Sequence, residues 1–170
     1  MKFLKKIFVV SACAGICCLS MISCGKSEEK AVKPVEIGQN FTFRAQISQE
    51  KNKYDAKFKR NGETWECTFN SPESIKGMKV TLSGDVCKID FNNLNYQLER
   101  KNLPEASFVS LITKSVDKLV LKKDLSCRKT SDSKKITETG NVSGTEFSAE
   151  INNGKISSVN FGENLSVKIS

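Results

Sequence analysis

Between residues 41 and 99, six short segments in a row alternate apolar and polar residues with period two. In 41–48, Phe41, Phe43, Ala45 and Ile47 alternate with Thr42, Arg44, Gln46 and Ser48. The same pattern sets Tyr54, Ala56 and Phe58 in 54–59, Trp65, Cys67 and Phe69 in 64–70, and Met78, Val80 and Leu82 in 78–83. It continues with Cys87, Ile89 and Phe91 in 87–91, and with Leu94, Tyr96 and Leu98 in 94–99. Such alternation gives each strand one dry face and one wet face, as in an antiparallel meander. The joints agree. Asn61-Gly62 tolerates the positive φ of a tight hairpin turn, and Gly84-Asp85 and Asn92-Asn93 are further turn pairs.

One helix follows, over about residues 103–120. Asn102 is placed to cap it, with Glu105 three residues on and Pro104 in the first turn. On a helical wheel Phe108, Val109, Leu111, Ile112, Val116, Leu119 and Val120 share one half of the cylinder. Ser110, Thr113, Lys114, Asp117 and Lys118 fall on the other, which this reading makes the wet face. Beyond the helix the alternation weakens. Leu125 and Cys127 begin a strand or lie in a loop, 131–134 reads as a turn, and Ile136–Val142 is a weak strand. Phe147, Ala149 and Ile151 restore the pattern, Asn153-Gly154 is a hairpin turn, and Leu165, Val167 and Ile169 form a last strand. Ile156 is out of phase with Val159 and Phe161, which predicts a bulge near Ser157-Ser158.

Width decides the architecture. Six strands about 4.8 Å apart make a sheet roughly 29 Å wide, whereas one helix is about 10 Å across. A flat sheet would leave a large apolar patch in water, which domains avoid. The sheet must curl, and the last strands must extend it or stack on it. The fold class is therefore mainly β with one helix (α+β). One solution is a curved antiparallel half-barrel of about 9–10 strands with the helix on its concave face; the other is a two-layer sandwich with the helix at one end.

The chain has 170 residues, enough for one domain, and a formal net charge of +8. Lys2, Lys5 and Lys6 precede an apolar run from Ile7 to Ile22, too short for a comfortable span of about 20 residues. That run ends Met21-Ile22-Ser23-Cys24-Gly25. The sequence there resembles a bacterial lipobox. The resemblance implies a signal peptide over residues 1–23, cleavage before Cys24 and a diacylglycerol on its sulfur. Removing those three lysines lowers the net charge to +5, and no Lys/Arg stripe points to nucleic acid. Residues 24–40 then read as a polar tether, and 41–170 as a single β-rich domain. The expected place is extracytoplasmic, anchored to a membrane through the N-terminal lipid.

An exported protein with a long meander, a central helix and a second, shorter meander resembles the LolA/LolB and LppX/LprG half-barrels in element order over residues 41–170. Those families bind acyl chains or lipoproteins in an apolar concavity covered by helices. The resemblance implies a lipid or acyl-chain ligand here. The residues placed to line such a cavity are Phe58, Trp65, Phe69, Val80, Leu82, Ile89, Phe91, Tyr96, Phe108 and Ile112. The same side chains serve equally as a filled core, which would make the protein a non-catalytic structural or interaction lipoprotein.

Histidine is absent, which removes Ser-His-Asp and Cys-His catalysis and the commonest metal ligand. No phosphate-binding glycine loop is present. The reading is of a protein that is not an enzyme and uses neither metal nor cofactor. Cys67, Cys87 and Cys127 remain after Cys24. Cys67 and Cys87 fall in the apolar phase of their strands and read as buried thiols; a single disulfide among the three is the alternative. No CxxC spacing supports a metal site.

Overall fold

The computed structural model describes residues 37–104, 107–129 and 135–170. The lipobox, Cys24, most of the tether, Glu105 and the expected turn at 131–134 lie outside the described residues.

Eleven strands form one antiparallel sheet. The first meander is β1 (Phe41–Gln49), β2 (Asn52–Asn61), β3 (Thr64–Ser71), β4 (Lys79–Ser83), β5 (Val86–Phe91) and β6 (Leu94–Glu99). The helix α1 (Phe108–Leu121) follows. The second meander is β7 (Ser126–Lys129), β8 (Lys135–Val142), β9 (Thr145–Asn152), β10 (Lys155–Phe161) and β11 (Leu165–Ile169). In space the order runs β6-β5-β4-β3-β2-β1-β11-β10-β9-β8-β7. Each meander is thus local, and a single pairing, β1 with β11, joins them. β6 and β7 are the two free edges, so the sheet stays open.

Eleven strands at about 4.8 Å would span roughly 53 Å if flat. Yet inward residues from both meanders share one core with the helix: Ile47, Phe58, Trp65 and Leu82 from the first, Phe147, Val159 and Val167 from the second, and Ile112, Val116 and Leu119 from α1. One helix reaches both halves only because the sheet curves around it. The half-barrel is the solution adopted, and the last strands extend the sheet rather than stack on it. The predicted bulge is present, as a register shift of β10 against β9 between Ile156 and Ser158. Asn92 and Asn93 both take positive φ, 47° and 64°, in the two-residue turn from β5 to β6.

Two expectations for the helix are corrected. It starts at Phe108 rather than near residue 103. Arg100–Asn102 instead form a turn of 3-10 helix, and the cap is Ser107, whose extended backbone lets its hydroxyl accept the Ser110 N–H at 3.3 Å. The polar half of α1 is only partly wet. On it Ser110 and Thr113 are buried while Lys114, Asp117 and Lys118 are half-exposed, and Ser115, outside that half, is buried as well, because the concave sheet wraps round more than one face of the helix. Two of these hydroxyls bond within the helix: Thr113 donates to the Val109 carbonyl at 2.9 Å, and Ser115 to the Ile112 carbonyl at 2.9 Å.

Candidate functional site

The residues expected to line a cavity divide by their distance from the helix. Phe58, Trp65, Phe69, Val80, Leu82 and Ile112 are buried in the common core. Phe108 is half-buried, stacking near Tyr54 (centroids 4.9 Å) and edge-on to Phe69 (5.8 Å). Ile89 and Phe91 are half-buried on β5. Tyr96 is 64% exposed and Leu94 73%. Tyr96 pairs with Ile89 and so keeps the inward phase. It stands on the free edge strand, however, past the part of the sheet that α1 covers. The sequence could count strands, but it could not locate the helix over β2, β3 and β8.

A polar cluster holds α1 to the sheet. Arg60, at the end of β2, points inward with its side chain only 4% exposed. Its Nε donates to Asp117 Oδ1 on α1 at 2.9 Å, and its Nη1 donates to the Gln39 carbonyl at 2.6 Å. The guanidinium lies 5.9 Å from the centre of the Trp65 ring. Trp65 Nε1 donates to the same Asp117 oxygen at 3.0 Å. A buried guanidinium survives only when charge and donors are met together, and here one carboxylate serves both Arg60 and Trp65. Sequence reasoning missed this cluster, although Arg60 stands in the apolar phase of its strand, two after Phe58. Glu138 on β8 is a second buried charge-bearing residue that the weak alternation there concealed.

A cleft lies elsewhere, where β1, β10 and β11 meet. It has a volume of about 580 Å³. Its apolar walls are Ile37, Phe41, Phe43, Ile156 and Ile169, with Thr42, Asn152 and Lys155 among the polar residues at its margins. All five apolar residues are core residues or pack against the core, so the cleft opens onto the concave side of the sheet. Phe41 and Phe43 stack at 6.0 Å, and Phe43 lies nearly parallel to Phe58 at 5.2 Å. None of the ten residues expected to line a cavity is in these walls. The alternation marked Phe41 and Phe43 as inward, but the cleft also needs β10 and β11 beside β1, and that is a non-local pairing.

The three thiols of the domain are unpaired with one another. Cys67 and Cys87 are buried, as their phase predicts, and burial pushes the Cys67 thiol up to about 12. Cys87 is raised for the same reason. Cys127 is raised first by burial and then by the Glu138 carboxylate across the β7–β8 pair. Among the described residues, no group of three or more His, Cys, Asp or Glu side chains converges as a metal site would require.

No family model matches the chain, and no curated protein matches it. Among solved structures it is similar to the crystal structure of the LolA superfamily protein NE2245 from Nitrosomonas europaea. The TM-score is 0.42 and the identity 8%, over 80% of this chain and 86% of that one.

Proposed function

We propose that the protein is a surface-tethered extracytoplasmic lipoprotein whose curved sheet takes up a hydrophobic or amphipathic ligand such as an acyl chain. In this reading residues 1–23 are the signal peptide, Cys24 carries the lipid, 24–40 is the tether and 41–170 the binding domain. No catalytic step is involved. The observation that carries the reading is the 580 Å³ cleft with Ile37, Phe41, Phe43, Ile156 and Ile169 as its apolar walls. Clefts of about 300–1,000 Å³ with mostly apolar walls are the usual shape of small-ligand sites.

The test uses soluble protein lacking residues 1–24. Co-purifying lipid is sought by mass spectrometry, and binding of a fluorescent fatty acid by titration. Ile156→Trp, which fills the cleft, is expected to weaken that binding about tenfold, equivalent to roughly 1.4 kcal/mol. The absence of both co-purifying lipid and fatty-acid binding would overturn the ligand reading. The anchor has its own test: Cys24→Ser is expected to abolish lipid labelling and release the protein from membranes.

A second reading rests on a different observation. The concave face over β2 and β3 is filled by α1, and Leu94 and Tyr96 stand exposed on the free edge strand. A non-catalytic interaction lipoprotein with a packed interior would look this way. It predicts no lipid, and partners that crosslink to β6 rather than to the cleft.

A further inference from the structure

Charge is spread unevenly over the outer face of the sheet. The eleven strands form one arc with free edges at β6 and β7, so the middle strand β1 and its neighbours β2 and β11 make the crest. The alternation that buries Phe43, Ala45, Phe58 and Val167 turns Arg44, Lys53, Lys57, Lys59 and Lys168 outward, and all five are exposed. Asp55 is the one carboxylate among the outward residues of these three strands. It is already taken: Arg44 Nε lies 3.0 and 2.9 Å from its two oxygens, and Asn70 donates to Oδ1 at 2.6 Å. Away from the crest the outward charges cancel or reverse. Glu66 pairs with Lys79 at 2.9 Å and Asp90 with Lys88 at 3.2 Å, while β9 turns Glu146 and Glu150 outward.

The crest is also arranged against its own stability. Arg44 stands directly opposite Lys57, and Lys168, opposite Gln46, is one diagonal from Arg44. Like charges so placed repel. Strands about 4.8 Å apart and alternate residues about 7 Å apart keep each cation within roughly a Debye length of the next, so their fields add.

We propose that this crest is a docking surface for an anionic lipid bilayer. Its shape suits a flat partner, because a convex arc meets a plane along its crest and offers a peptide no groove. Its chemistry suits a charged one. A protein partner needs an apolar centre to its interface, and every outward residue of β1, β2 and β11, from Thr42 to Ser48, Lys53 to Lys59 and Ser166 to Lys168, is polar. Each cation held near an anionic bilayer contributes to binding, and nothing here inserts, so the contact is peripheral and salt-sensitive. The inference stands on the placement of charge. It needs neither a lipid on Cys24 nor the cleft, which opens on the concave side.

The test sediments the chain from residue 25, which keeps every described strand and the helix, with two kinds of vesicle. One is phosphatidylcholine with about a third phosphatidylglycerol, the other phosphatidylcholine alone. Binding to the anionic vesicles is expected to be about tenfold tighter or more, and to be lost at about 1 M salt, where the Debye length falls to about 3 Å. Lys53→Gln with Lys57→Gln is expected to weaken it about tenfold or more. Lys123→Gln with Lys135→Gln removes the same charge away from the crest and is expected to weaken it less than about threefold. The urea midpoint of the first pair is expected to stay the same or rise, since Arg44 loses the cation opposite it, so lost binding is not lost folding. Equal sedimentation with both vesicles, or equal weakening by both pairs, overturns the proposal. So does capture by soluble polyglutamate with none by vesicles. Fatty-acid titration reads the cleft and is expected to be the same in both pairs, so loss of one kind of binding leaves the other standing.

Discussion

Asp117 joins three elements with one carboxylate oxygen, accepting one hydrogen bond from Arg60 on β2 and another from Trp65 on β3 while standing on α1. Removing it leaves a buried guanidinium and an indole N–H without their shared acceptor. Loss of one partner of a buried pair costs more than the pair itself contributes. Asp117 is partly exposed and Arg60 keeps the Gln39 carbonyl, so Asp117→Ala is expected to cost about 2–4 kcal/mol. Urea denaturation measures it; a change under about 0.5 kcal/mol would mean that the helix is held by apolar packing alone. Cys67 gives a second residue-scale prediction, in pH. Its folded value is raised from an ordinary 9.0 to about 12. The unfolded chain therefore loses the proton first, so the contribution is complete below 9 and is lost as pH rises toward 12. Cys87 and Cys127 are shifted in the same direction. Stability is expected to fall between about pH 8 and about pH 10.5, and to fall less in Cys67→Ala, as read from urea midpoints at both values.

At the scale of elements, the helix start separates two sets of sequence signals. Asn102, Pro104 and Glu105 form a plausible cap and first turn, yet the helix is capped by Ser107. Ser107→Ala is expected to cost about 1 kcal/mol in urea denaturation, and Asn102→Ala much less. The reverse order would place the start near residue 103. The strands were more legible than the helix start because period two is read from each segment alone: Trp65, Cys67 and Phe69 are buried as their phase requires. The four-residue β7 and the inward Glu138 on β8 were less so, since that part of the chain has few apolar residues to mark a phase. The cleft was not legible at all. Its walls come from β1, β10 and β11, and β1 meets the other two only through a pairing between residues more than a hundred positions apart in the chain.

The whole molecule is two local meanders joined along one seam, which makes its sheet mechanically uneven. Every other strand pair joins strands adjacent in the sequence, and the core cluster draws from both sides of the seam. A break between β1 and β11 therefore opens the concave face, whereas a change at a free edge opens nothing. Lys168 tests the seam. Its side chain is exposed, but its backbone sits opposite Gln46, two residues before the Ser170–Arg44 exchange, and so in the same hydrogen-bonding phase. Proline there removes a central ladder bond without touching the core, and Lys168→Pro is expected to cost about 3 kcal/mol or more. Leu94→Asp, on the β6 edge with its side chain in water, is expected to change stability by no more than about 0.5 kcal/mol. Urea unfolding of the two variants beside the parent decides it. If Lys168→Pro were as mild as Leu94→Asp, the two meanders would hold together through α1 and the core alone. The seam would then be a consequence of the fold rather than what closes it.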